Sequence, residues 1–207
     1  MRRSMYPLIL ALLACIAVPA VGRAQAMSKS MERASTAPAL APELASVKNS
    51  LAKYADVTVA LRDGYLSTVG CIDYPKGAQE GTVTFPPGAM GVHFLNVANI
   101  GPKLDPAKPQ VLIYEPVNGK LRLAAAEWFV PVQVAGGKAP TLFGQTFAGP
   151  MDGHYPVMPK ELRHYDLHVW LWKPNPRGVF SPTNTALKCP AGDPYTYPEG
   201  MGAHHHM

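Results

Sequence analysis

The chain has 207 residues, 47% of them hydrophobic and only 16% charged, with 22 prolines and 18 glycines, which excludes a charge-rich disordered chain or a long coiled coil. The formal net charge is +5, from 19 basic and 14 acidic residues. Three of the basic residues, Arg2, Arg3 and Arg23, belong to an N-terminal leader, so the remainder carries 16 against 14, a net charge of +2. No Lys/Arg patch with interleaved aromatics is left, which argues against a nucleic-acid partner.

The leader has the parts of a secretory signal. Arg2 and Arg3 form the charged start, Pro7 to Val21 is apolar, and Ala24-Gln25-Ala26 is a small-residue cleavage site. A signal peptide is therefore expected over residues 1–26, and a periplasmic or secreted protein after it. Leu12-Leu13-Ala14-Cys15 also fits a lipoprotein box, and only with Cys15 lipidated would the chain sit at a membrane. The residues after Cys15 stay apolar, which favours the later cut. Once Cys15 is removed, Cys71 and Cys189 remain, and two cysteines in an exported chain read as a disulfide.

Residues 27–38 are small and polar and read as a flexible lead-in. Residues 39–194 read as a single β-rich domain with an N-terminal helix, and 195–207 as a mobile tail. The helix is expected over residues 42–63. Leu40, Leu44, Val47, Leu51, Tyr54, Thr58, Leu61 and Tyr65 recur at spacings of three and four, Pro42 suits a first turn and Gly64 a stop. Its stripe is expected to lie on the domain or, alternatively, on a second copy in a homo-oligomer. From Gly70 onward short apolar runs are punctuated by proline and glycine, which predicts strands at 82–85, 91–97, 110–115, 121–134 (bending near Pro131), 142–147 and 165–173. Asn118-Gly119 is a hairpin turn signal. After Trp172 the chain is proline-rich and is expected to wrap the domain, held at Cys189. The fold class is α+β: mainly an antiparallel β sandwich or barrel, one long N-terminal helix and a proline-rich C-terminal tail.

The sharpest chemical signal is His164-Tyr165-Asp166-Leu167-His168-Val169-Trp170-Leu171-Trp172. On a strand, alternation puts His164, Asp166, His168, Trp170 and Trp172 on one face. Side chains at i and i+2 are about 6.5–7 Å apart and can share an ion, whereas i and i+4 are about 13 Å apart on a straight strand. One histidine with Asp166, or both with the strand bulged, is therefore expected to join His93 or His154 from elsewhere. The remaining member would orient a ligand by hydrogen bonding. His93 follows a glycine-rich turn, and His154 lies in the loop Gly149-Pro150-Met151-Asp152-Gly153-His154. The metal set is thus His93, His154, His164, Asp166 and His168. Imidazole and carboxylate suit Zn or Cu before Fe. Trp170 and Trp172 could wall such a site and bind a ligand, or pack as ordinary core. Glu127 shares parity with Leu121, Leu123, Ala125 and Phe129, so it is a ligand, a weak general-base candidate, or the partner of an arginine or an exposed edge residue. His204-His205-His206 is either a weak metal-binding run or foreign to the domain.

Together, Gly88-Ala89-Met90-Gly91-Val92-His93-Phe94, Leu104-Asp105-Pro106, the loop ending at His154 and His164 to Trp170 resemble a group of secreted bacterial proteins of this size with no assigned activity. The His-x-Asp-x-His core is also similar to another exported bacterial domain family of unknown function, with a Pro-His-Phe-Asp-Phe-His type motif. The resemblance implies that the histidines and Asp166 act as one set, and implies no reaction.

Other chemistries lack their signatures. There is no Gly-x-Ser-x-Gly elbow, phosphate loop, Cys-x-x-Cys-His or clear carboxylate pair for glycoside cleavage. Noncovalent haem on His93 or His154, with Met90 or Met151 as soft ligands, ranks below a mononuclear ion. The expected partner is a metal ion or small molecule. The expected function is metal binding, as an enzyme on a small molecule or, alternatively, as a non-catalytic metal- or ligand-binding protein or a metal-free structural one.

Overall fold

A computed structural model of the protein describes residues 40–153 and 158–191, all within the unit that begins at Leu40. The expected signal peptide and lead-in, His154 and the tail with His204–His206 lie outside the described residues.

Among the described residues two short helices come first, α1 (Pro42–Leu51) and α2 (Val57–Arg62), joined by a 3-10 turn at Ala52–Ala55. The single helix expected over 42–63 is therefore corrected. Asp56 is extended (φ −89°, ψ 108°) and its carboxylate accepts hydrogen bonds from the Thr58 backbone N–H (2.9 Å) and hydroxyl (2.7 Å), so it ends one segment and caps the next. The run Val57-Thr58-Val59 is β-branched and weakens a continuous helix. The break also shifts the buried stripe. Leu44, Val47, Leu51 and Tyr54 are buried, but in α2 it is Ala60 that faces inward while Leu61 is 45% exposed.

Ten strands follow among the described residues: β1 (Leu66–Tyr74), β2 (Ala78–Glu80), β3 (Val83–Phe85), β4 (Gly88–Leu95), β5 (Val111–Val117), β6 (Lys120–Pro131), β7 (Thr141–Leu142), β8 (Gln145–Thr146), β9 (Ala148–Met151) and β10 (His164–Val169). Six form an antiparallel sheet in the order β1-β4-β5-β6-β10-β9. The β5–β6 turn places Asn118 and Gly119 at φ 52° and 73°, as the Asn-Gly signal requires. The strand expected at 142–147 is instead the two halves of a tight hairpin, β7–β8, because Phe143 and Gly144 take positive φ of 54° and 69° and reverse the chain. The strand expected to reach Lys173 stops at Val169, where the Trp170 N–H turns to the Val179 carbonyl at 2.9 Å and leaves the β6 ladder.

The register defines two faces. Leu112, Phe94, Ala126, Trp128, Leu167 and Val169 share the face that belongs with the helices in the main core, and Tyr114 donates a hydrogen bond at 2.8 Å to the Tyr54 carbonyl. The opposite face carries His93, Ile113, Val111, Ala125, Glu127, Phe129, His164, Asp166 and His168. The β2–β3 hairpin hangs from edge strand β1 and reaches the other edge, with the Thr82 hydroxyl 3.0 Å from the Pro150 carbonyl it donates to. Under it lies a second apolar cluster of Ile72, Tyr74, Phe85, Met90 and Met151.

The proline-rich segment then straps the sheet. Lys173 pairs with Glu115 at 2.9 Å, Asn184 exchanges backbone hydrogen bonds with Ala89, and Cys189 is disulfide-bonded to Cys71, 118 positions away, with Cα atoms 5.5 Å apart. The expected staple is present.

Candidate metal centre

Three side chains from three strands meet on the hairpin-side face of the sheet. His168 on β10 is the direct cross-strand partner of Glu127 on β6, and His93 on β4 reaches toward them over β5. Glu127 Oε2 lies 3.3 Å from His93 Nε2 and 3.4 Å from His168 Nε2. The three ligand atoms all lie within 4.8 Å of one another. Two atoms that each sit about 2.0–2.1 Å from a tetrahedral ion are about 3.3–3.4 Å apart, so both Glu127 contacts match a tetrahedral edge. The two imidazoles are nearly perpendicular (81°), with centroids 6.1 Å apart.

The other ring nitrogens are held from behind. His93 Nδ1–H donates to the Gly91 carbonyl at 3.2 Å, which leaves Nε2 as the free donor atom. His168 Nδ1 faces Asp166 Oδ1 at 3.8 Å, two residues back on the same strand. Metal-bound imidazoles characteristically have their second nitrogen against a carbonyl or carboxylate. Neither ring nitrogen of His168 makes a hydrogen bond among the described residues, although the residue is only 1% exposed. A fully buried imidazole in that state suits a ligand that is not a protein group.

Burial is steep across the site. The side chains of His168 and Glu127 are 0% and 5% exposed and that of His93 is 12% exposed, so solvent reaches the cluster from the β4 side. Burial disfavours the charged form of His168, but the carboxylates of Glu127 and then Asp166 outweigh it and raise its pKa to about 9. Tyr74 is pushed well above the usual phenol range by burial first, then by Glu80, whose carboxylate accepts its hydrogen bond at 2.7 Å, and by Asp166.

The residues singled out in the sequence fall into separate groups. His93 and His168 come together, with Asp166 behind His168. His164 is four residues away on the same strand, about 13 Å by strand rise. Its Nδ1–H donates to the Leu162 carbonyl at 3.1 Å and its ring lies against Phe129, with centroids 4.5 Å apart. Trp170 lies in the main core and its indole N–H donates to the Ser181 carbonyl at 2.6 Å. Trp172 is partly buried against the same core. Both follow Val169, the last residue of β10.

For Glu127 the sequence left several alternatives open, and the structure narrows them. This side chain faces two histidines rather than an arginine and is buried rather than on an exposed edge. Its expected parity with Leu121 and Leu123 is also corrected, because a bulge opposite Ile113–Tyr114 interrupts the alternation between Leu123 and Ala125. The usable signal was a lone carboxylate within the apolar run Ala124 to Val130.

No family model, curated protein or solved structure matches this chain. The assignment of the centre therefore stands on its own geometry.

Proposed function

We propose that this chain is an exported protein that binds one divalent transition metal, Zn or Cu before Fe, through His93, Glu127 and His168. The observation that carries the reading is the single Glu127 oxygen at 3.3 and 3.4 Å from two imidazole Nε2 atoms. Export is supported by the leader at residues 1–26 and by the Cys71–Cys189 disulfide, a bond kept in oxidising compartments. No helix among the described residues is long and apolar enough to cross a membrane.

Two histidines and one carboxylate are a set that, around Zn, leaves a fourth position for water or substrate. An ion held there supplies Lewis acidity toward a small molecule or an activated water. This chain's own part is to orient the two rings, exclude bulk water from the β10 side and leave the His93 side approachable. A second reading, metal sequestration without a reaction, is favoured by the burial of Glu127 and His168.

Metal analysis of protein purified without metal affinity, with His204, His205 and His206 changed to alanine, tests the binding. Near-stoichiometric metal, lost in His168→Ala and in Glu127→Gln, is expected. A wild type that neither holds nor takes up Zn²⁺, Cu²⁺ or Co²⁺ overturns it. Adding azide to the Co²⁺ form separates the two readings: a changed visible spectrum marks an exchangeable fourth position, and an unchanged one marks sequestration.

A further inference from the structure

Among the described residues Asp166 is a buried carboxylate beside the trio that is not itself one of the three proposed ligands. It is 1% exposed, its Oδ1 faces His168 Nδ1 at 3.8 Å, and its Oδ2 makes no hydrogen bond among the described residues. An apolar interior does not retain a carboxylate in that condition unless a positive charge is nearby to offset it. We infer that Asp166 is a positioning and specificity-determining residue, which fixes the ligating tautomer of His168 and supplies the second negative charge that selects a divalent over a monovalent ion. The inference rests on the metal-binding reading above.

Two physical steps lead there. First, a proton on His168 Nδ1 pointing at Asp166 leaves Nε2 unprotonated toward Glu127, the only tautomer in which this ring can join His93 on one ion. The contact is an ion-pair distance, and a ring drawn onto a metal is held in that plane by the carboxylate behind it. Second, both imidazoles must be neutral to ligate. The enclosed groups then contribute one negative charge from Glu127 and one from Asp166, matching a dication. A monovalent ion would leave one buried negative charge without compensation. Tyr74, whose phenol feels this carboxylate, donates its hydrogen bond to Glu80 and does not relieve it.

The test is Asp166→Asn in the full chain with His204–His206 changed to alanine, titrated with Zn²⁺ and, separately, Ag⁺ as a monovalent probe. Zn²⁺ affinity is expected to fall about 10–100-fold, the usual effect of removing such an outer partner, and Ag⁺ affinity to fall less. Unchanged Zn²⁺ affinity overturns the inference, and so do equal losses for both ions. Asp166→Ser, read in the same way, serves if the amide variant does not fold. Failure of the wild type to bind Zn²⁺ at all is a different outcome, which removes the metal-binding reading itself.

Discussion

His168 and Glu127 are directly opposed residues of two central strands, and their side chains meet at 3.4 Å with almost no access to solvent. In metal-free protein the pair is an imidazolium against a carboxylate, and this couples stability to pH. The folded pKa of His168, about 9, lies above its ordinary value of 6.5. The stabilisation is therefore complete below about pH 6.5 and disappears as pH rises through about 9, with a size of order 3 kcal/mol at about 1.4 kcal/mol per pH unit. Urea unfolding of the metal-free protein should give a lower free energy at pH 9.5 than at pH 6.5, and Glu127→Gln should flatten the slope. A wild-type profile that is level across this window removes the charged pair. Because an ion must displace the same proton, metal affinity should climb over the same range.

Gly91 links the strap to His93. It sits at φ +93°, its carbonyl accepts the His93 ring N–H, and a Cβ there would lie 2.7 Å from the Tyr114 carbonyl oxygen and 3.3 Å from Leu187. Gly91→Ala combines left-handed strain with overpacking and should cost about 2–4 kcal/mol. It should also weaken metal binding, because the carbonyl that orients His93 moves. Chemical denaturation and a Zn²⁺ titration of this variant check both, and wild-type affinity would show that Gly91 acts on stability alone.

The disulfide joins the last described strap residues to β1, which pairs with the strand that carries His93. Chain entropy for a loop of this length gives about 4–5 kcal/mol. Cys71→Ser/Cys189→Ser should lower the melting temperature by about 8–20 °C, at roughly 2–4 °C per kcal/mol for a domain this size. Free-thiol titration of denatured wild type should find no reactive cysteine beyond Cys15. Two additional thiols would show that the staple does not form.

Asp56 ends one helical segment and starts the next through a single carboxylate. Asp56→Ala should cost about 1 kcal/mol, the usual loss for a cap. Asp56→Asn or Asp56→Ser should retain most of it. Equal losses in all three would mean that the break is imposed by Tyr54 and Tyr114 packing and not by the cap.

Much of this architecture is written locally. The hairpin at Asn118-Gly119 follows from two residues that tolerate positive φ. The run His164 to Val169 forms a strand with both histidines and Asp166 on one face because side chains alternate. With Cys15 set aside in the expected leader, Cys71 and Cys189 are the two remaining cysteines of the sequence, so their pairing needed no tertiary knowledge. The helix failed as one piece because a stripe at spacings of three and four does not reveal that Asp56 prefers capping to continuing. The centre itself lay beyond local pattern. His93, Glu127 and His168 stand on β4, β6 and β10, and their meeting depends on strand order and register, which long-range pairing sets. Which of the alternatives open to Glu127 holds was undecided for the same reason. A carboxylate in an apolar run says that a partner is needed, while only the β6–β10 register brings His168 opposite it and the reach over β5 brings His93.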